Sequence, residues 1–393
     1  SYRRLVMKIR KLFIYCLTVL IFSSCESGFE DMMDETKGEK VYKYYAYVAN
    51  YNSKSVSAYS IDSTTGALTS IDSYTTLYYA KHLATDPSNK FLYVACNAAL
   101  PTPTAGYVYA YLINSSTGAL TEINHYSTGA SSQSVKVDPD GKYLYVANGA
   151  STWPEDKTVH VYTINPDGSL NFKITITTGT GSSSSPGAGP CSIAVNPANK
   201  FLYILGSYGL DINAYTIGDG VYGSIGTYSA SPGPYGSNYP RSIVINSNGK
   251  YSYSVHGGTS GGIYAYAIDS STGALGSLVT YYPGYVELNG IMIHPGGKFV
   301  YVTASGGSGG NILLYSVNAD TGVLTYVRST SVGYDGSTSP SVDPSGRFLY
   351  ITNWNSANVS AYSIDAATGA LTEISGSPFP TGSTPYSIFT MRI

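Results

Sequence analysis

The sequence predicts an all-β fold, a closed ring of seven four-stranded antiparallel sheets, and three observations carry that prediction. One phrase recurs along the chain: Ser-Ile-x-Val-Asp-Pro-x-Gly-Lys-Phe-Leu-Tyr-Val-Ala-Asn, a variable loop, then Val-x-Ala-Tyr-Ser-Ile-Asp-x-x-Thr-Gly-Ala-Leu-Thr. Its central tyrosine falls at Tyr47, Tyr93, Tyr145, Tyr203, Tyr253, Tyr301 and Tyr350, and self-similarity at about fifty residues marks a propeller or solenoid. Within each copy, short runs of Val, Ile, Leu and Tyr alternate with polar residues and end at Asp-Pro-x-Gly or Thr-Gly, the signature of strands joined by tight turns. The third observation concerns the two ends of the repeat. Copy one lacks a first strand before Tyr44, while 385–393 reads as a first strand with no copy after it. A seven-bladed β-propeller closed by the C-terminal strand joining the first blade accounts for all three and leaves no long exposed sheet edge.

From the N-terminus, Arg3, Arg4, Lys8, Arg10 and Lys11 precede the apolar run Leu12 to Phe22, followed by Ser23 and Ser24. This is a secretory signal over 1–24. The run would rise about 16 Å as a helix, roughly half a bilayer core, too short for a permanent span. Phe22-Ser23-Ser24-Cys25 resembles a bacterial lipobox, which makes Cys25 the expected lipidated residue and the membrane an expected partner through that anchor. Residues 25–40, with Glu26, Glu30, Asp31, Asp34, Glu35 and Glu39, read as an acidic tether, and 41–393 as the propeller. An exported bacterial lipoprotein, periplasmic or at the cell surface, is the expectation.

In the third copy, Ser134 to Asp138 is the expected inner strand, Lys142 to Asn148 the second and Val159 to Asn165 the third, with Ser169 to Phe172 beginning the fourth. The third-strand tyrosines, from Tyr59 and Tyr111 to Tyr362, should pack between blades with their hydroxyls reaching a rim partner.

With 22 Lys+Arg against 24 Asp+Glu, the chain carries no basic excess to neutralise phosphates, so a nucleic-acid partner is not expected. A monomer is. The five histidines (His82, His125, His160, His256 and His294) lack metal-ligand spacing, so neither a metal nor a cofactor is expected. Gly258-Thr259-Ser260-Gly261-Gly262 satisfies G-x-S-x-G only as a chance match in a Gly/Ser-rich loop, without the strand-to-helix turn that a nucleophile elbow needs. Cys96 and Cys191 stand two blades apart, beyond disulfide reach, and read as small buried hydrophobes.

Tyr-Val-Ala-Asn and Ile-Asp-x-x-Thr-Gly-Ala-Leu-Thr make residues 43–393 resemble the seven-bladed lactonase-like propeller family that contains 6-phosphogluconolactonase, with the Tyr-Val-Thr-Asn repeat style of bacterial surface propellers. The recurring residues are turns and core positions, so the resemblance specifies fold more than chemistry. In the enzymatic relatives a blade begins Gly-Pro-Arg-His and ends its second strand Asn-Glu. Here the matching blade has Cys191, Ser192 and Ser207 in place of Arg, His and Glu, and only Pro240-Arg241-Ser242 retains the Arg.

Function on such a scaffold sits on the face carrying the variable loops. That face is expected to hold Lys81, Cys96, Trp153, Glu155, Asp156, Tyr235, Glu287, Tyr334 and Asp335 among others. Residues at the starts of inner strands should lie nearest the channel mouth. The expected ligand-binding residues are Arg241, His82, Gln133, Asn289, Tyr386, Tyr282 and Trp354, and the candidates for catalysis are Arg241, His82 and His256. Because one Arg without a base supplies binding but little catalysis, the first reading is a binding or interaction module for a glycan or protein, with the family's catalytic motifs lost. The alternative is a lactone hydrolase acting on a sugar lactone. A structural envelope protein is the third reading.

Overall fold

Each alternating run of the phrase is long enough for one short strand, and the turn residues at its ends send the chain back antiparallel. The computed structural model describes residues 42–98, 105–149, 156–178, 189–207, 210–219, 221–230, 238–258, 261–276, 279–285, 287–305, 309–333 and 336–393. The signal, Cys25 and the acidic stretch lie outside them, as do Trp153, Glu155, Tyr235, Ser260, Tyr334 and Asp335. Among the described residues the helical content is one 3-10 turn, Trp354–Ser356.

Seven antiparallel sheets form, six of them with their strands in chain order from the inside outward. The inner strands of blades 2 to 7 are Tyr79–Thr85, Ser132–Val137, Pro190–Val195, Asn238–Ile245, Glu287–Ile293 and Ser337–Val342. Blade 1 takes its inner strand, Pro385–Arg392, from the C-terminus, paired antiparallel with Tyr44–Asn50 so that Phe389 faces Tyr47. The seven inner strands touch one another in a closed cycle. Blade 3 consists of Ser132–Val137, Tyr143–Asn148, Thr158–Ile164 and Leu170–Thr177. Its first strand therefore starts two residues earlier than expected. In blade 7 the outer edge is made in two pieces, Leu371–Glu373 and Phe379–Pro380, both on Asn358–Ile364.

The core is distributed over the seams. Seven buried clusters occur, one between each neighbouring pair of blades, such as Tyr47, Val56, Leu83, Leu92 and Tyr109 between blades 1 and 2. At six of the seven seams the central tyrosine of a second strand reaches across and donates to the glycine carbonyl of the next blade's outer turn, which is Thr-Gly except in blade 3, where it is Asp167-Gly168. The bonds are Tyr47 to Gly118 at 2.9 Å, Tyr93 to Gly168 at 3.1 Å, Tyr203 to Gly273 at 2.8 Å, Tyr253 to Gly322 at 2.8 Å, Tyr301 to Gly369 at 2.9 Å and Tyr350 to Gly66 at 2.7 Å. The seam between blades 3 and 4 departs from this pattern. The blade 4 turn, at Gly218 and Asp219, has no Thr-Gly. Tyr145 there meets the Tyr222 hydroxyl at 3.4 Å, and Lys142 pairs with Asp219 at 2.8 Å.

The turn needs glycine for two reasons. Gly118 has φ +74°, and a Cβ on it would stand 2.4 Å from the Tyr45 ring; Gly66 against Phe348 and Gly168 against Phe91 repeat the arrangement. The opposite turn is held by its first side chain: Asp138 accepts the backbone N–H groups of Lys142 and Tyr143 at 2.7 and 2.9 Å, as Asp86 and Asp343 do in their blades. The third-strand tyrosines are buried between blades, and Tyr59, Tyr162 and Tyr266 donate to the carbonyls of Pro380, Ser127 and Ser229. Tyr111 corrects the expectation of a rim partner for all of them, since its buried hydroxyl has none.

Gly118→Ala should cost roughly 2–4 kcal/mol in urea denaturation, combining an unfavourable φ with a steric clash. Gly284→Ala, at φ +82° but with nothing within 4 Å, should show only the backbone part, roughly 1–2 kcal/mol. Equal costs at the two sites would remove the packing role assigned to the turn.

Candidate functional site

An inner strand is pinned on one side by the second strand of its blade, so an extra residue in it cannot stay in register and is pushed out as a bulge, which re-aims its side chain. Every inner strand carries such an irregularity near the face of the long loops. The residues left without a partner in the ladder are Lys81, Gln133, Cys191, Arg241, Asn289 and Tyr386 in blades 2, 3, 4, 5, 6 and 1, and Thr338 with Ser339 in blade 7. These residues form a ring. Lys81 donates to Gln133 and lies over the Tyr386 ring, 4.8 Å from its centroid, so it touches the bulge residues on both sides. The Cys191 thiol lies 3.4 Å from the Pro240 carbonyl of the next blade, and Thr338 Oγ1 donates to the Tyr386 carbonyl at 3.2 Å.

Four of the residues expected at the mouth, Gln133, Arg241, Asn289 and Tyr386, stand at these bulges. His82 is one position further along, paired with Ala95, and Lys81 occupies the ring position in its blade. The signal was available in the repeat: aligned on Asp86 and Asn246, Lys81 falls in the column of Arg241. His82 lies in the channel wall, where its Nδ1 accepts the Val135 N–H at 3.5 Å. Burial, with the Lys136 and Lys81 cations beside it, pushes its pKa down to about 4. Lys136, not singled out by the sequence, is exposed to solvent while protein surrounds it, as befits a side chain inside an open channel, and desolvation lowers its pKa.

His256 is corrected more strongly. It is fully buried inside blade 5, its ring centroid 4.3 Å from that of Tyr264 and its Nε2 3.1 Å from Ser254 Oγ, with Nδ1 unpartnered. Burial pushes its pKa down to about 3. A neutral ring closed off from the mouth has no access to a ligand. Cys96 is buried, as its reading as a small hydrophobe expects, rather than presented on the variable face.

The charged pair at the mouth is Arg241 and Glu287, 3.4 Å apart and each about two-fifths exposed. It spans blades 5 and 6 and rests over Gly257, where a Cβ would stand 2.5 Å from Glu287 Oε2 and 3.3 Å from Arg241 Nε. Glu287 had no sequence signal beyond its place on the variable face. In blade 4, burial pushes the Cys191 thiol up to about 12 despite the cations of Arg241 and Lys81, so it stays protonated and unreactive at neutral pH. Asp211, another residue the sequence did not mark, sets its Oδ1 2.3 Å from where a Cβ on Gly206 would be, and burial raises its pKa. Asn289 donates to Ser305 Oγ at 2.9 Å. Tyr282 is an exposed loop residue.

Across the mouth, blades 7, 1 and 2 present Trp354, Tyr51, Tyr386 and Tyr79. Tyr51 stacks on Tyr79 at 4.8 Å, and Trp354 lies 5.1 Å from Tyr386. Among the described residues no cluster of three His, Cys, Asp or Glu is placed to hold a metal.

The chain belongs to the lactonase, 7-bladed beta-propeller family, whose model matches residues 45–385. It is 28% identical over 224 residues to a 6-phosphogluconolactonase of Bacillus subtilis, a match that covers 54% of this chain and 59% of that protein. Among solved structures, a candidate 6-phosphogluconolactonase from Bacteroides uniformis superposes with a TM-score of 0.76 at 18% identity, covering 88% of this chain and 99% of the other. A periplasmic gluconolactonase of Pseudomonas aeruginosa gives 0.75 at 20% identity with the same coverage. At these identities the structural likenesses carry the fold.

Protonating a buried imidazole is penalised, so the unfolded chain binds the proton first and stability falls as pH drops from about 6.5 toward 3. His256→Asn should flatten that acid limb by up to about 1.4 kcal/mol per pH unit in urea titrations at stepped pH. Identical limbs in the two proteins would contradict the enclosed neutral ring.

Proposed function

We propose that the chain hydrolyses a sugar lactone at the channel mouth, with Arg241 and Glu287 as the reacting pair. The observation that carries this reading is their contact at the mouth, on neighbouring blades and in reach of solvent. Family membership and the 6-phosphogluconolactonase and gluconolactonase names of its relatives support it. Lactone opening needs a group to take a proton from water and donors for the oxygen that becomes negative. Glu287 is a carboxylate beside a cation, suited to the first task, and the remaining N–H groups of Arg241 suit the second. Water oxygen bonds to the carbonyl carbon, the ring C–O bond breaks, and the leaving ring oxygen takes the proton that Glu287 accepted. The product is an open hydroxy acid whose carboxylate the Lys81 and Lys136 cations would attract.

This reading routes the chemistry through blades 5 and 6, because the blade 4 places that hold Arg, His and Glu in the enzymatic relatives have Cys191, Ser192 and Ser207. Those same substitutions favour the second reading, a module that holds a sugar without turning it over. Measured against spontaneous opening of glucono-δ-lactone, Arg241→Ala should lower kcat/KM by about 10²–10³-fold and Glu287→Gln by about 10²–10⁴-fold. Wild-type turnover no faster than the spontaneous reaction would sink hydrolysis and leave the binding module standing.

The anchor read at Cys25 belongs to the same proposal, since an exported protein meets lactones outside the cytoplasm. Cys25→Ala should move the protein from the membrane to the soluble fraction; retention at the membrane would refute lipidation there.

A further inference from the structure

The two sides of the mouth differ in chemistry. Blades 5 and 6 offer an ion pair, whereas blades 7, 1 and 2 offer four aromatic rings that the repeat does not require. Tyr51 is central among them, 4.8 Å from Tyr79, 6.2 Å from Tyr386 and 6.5 Å from Trp354. None belongs to the seven repeated tyrosines of the seams. Tyr386 reaches the mouth through its bulge, and Trp354 sits on the 3-10 turn with 37% of its surface exposed. Two ammonium groups lie over this wall, Lys54 at 4.7 Å from the Tyr79 centroid and Lys81 at 4.8 Å from that of Tyr386.

We infer that this wall is a stacking subsite for the C–H face of an unphosphorylated sugar ring, with Lys81 within reach of its hydroxyls. The inference deepens the sugar-lactone reading by naming the substrate class. Aromatic faces attract the weakly positive C–H face of a ring through their quadrupole while excluding water; exposed Trp354 offers the open ring of this wall, and the ammonium groups that cover the Tyr79 and Tyr386 faces supply N–H donors beside it. A phosphate group, by contrast, is usually gripped by converging, uncommitted cations. At this mouth Arg241 is paired with Glu287, and Lys81 with Gln133 and the Tyr386 ring; Lys136 stands three residues further along its inner strand than the Gln133 bulge, so the cations do not converge at the rim.

The test uses binding, so it does not depend on turnover. The chain has two tryptophans, and in a Trp153→Phe background emission reports on Trp354 alone. Titration with glucono-δ-lactam, a ring analogue that resists opening, should change that emission saturably. Tyr51→Ala and Tyr386→Leu should each raise the dissociation constant roughly three- to tenfold, with circular dichroism confirming the fold. Tyr51, in a loop, keeps the test valid if the closing strand does not tolerate the change at Tyr386. Gluconate should bind at least as tightly as 6-phosphogluconate. An emission that does not respond, dissociation constants unchanged in a folded Tyr51→Ala protein, or a tenfold preference for the phosphorylated acid would each overturn the subsite. A saturable response with no wild-type turnover would instead reject hydrolysis and retain the subsite.

Discussion

The hydrogen bond that crosses six of the seven seams, from a buried second-strand tyrosine to the carbonyl of a left-handed glycine in the next blade, is what the rest of the molecule is built around. A blade has two apolar faces and cannot bury them alone; it needs a neighbour on each side. The tyrosine fills that seam with a ring and ends in a hydroxyl whose burial is tolerable only with an acceptor. The turn glycine supplies the acceptor and, lacking a Cβ, lets an aromatic ring of the preceding blade lie against it. Each such bond contributes only about 1 kcal/mol. Its larger effect is geometric, because it sets how far one blade rotates on the next. At the seam between blades 3 and 4, Tyr222 and the Lys142–Asp219 pair take over the task.

That fixed rotation determines where the inner strands meet, and the bulge in each determines what they present. A regular strand would point alternate side chains into the seams. The extra residue breaks the alternation once per blade, at the same height, and so collects Lys81, Gln133, Cys191, Arg241, Asn289, Thr338 and Tyr386 around one opening. Residues far apart in sequence become neighbours there: Tyr386 of the closing strand carries the Lys81 ammonium over its ring. Because the ring position sits in a bulge rather than in the core, its identity varies freely from blade to blade while the fold stays the same.

The architecture was legible because each of its causes is local. Asp-Pro-x-Gly, Thr-Gly and alternating Val, Ile and Tyr specify turns and strands within a few residues, and repetition multiplies the signal. The mouth was legible in part. Gln133, Arg241, Asn289 and Tyr386 stand at the bulge, but His82 was displaced by one residue: counted back from Asp86 as Arg241 is from Asn246, the extruded position is Lys81. His256 was misread since burial is a property of the seam around it, where Tyr264 closes over the ring.

Blade number, the joining of the two ends and the face that bears the loops were therefore determined by the amino-acid sequence, since turn chemistry and periodicity act at short range. Tertiary structure alone decided that Glu287 meets Arg241, that Tyr51 gathers Tyr79, Tyr386 and Trp354 around it, and that His82 is held neutral between lysines. Those pairings join side chains from different blades, and no short-range rule encodes distances that exist only once the ring has closed.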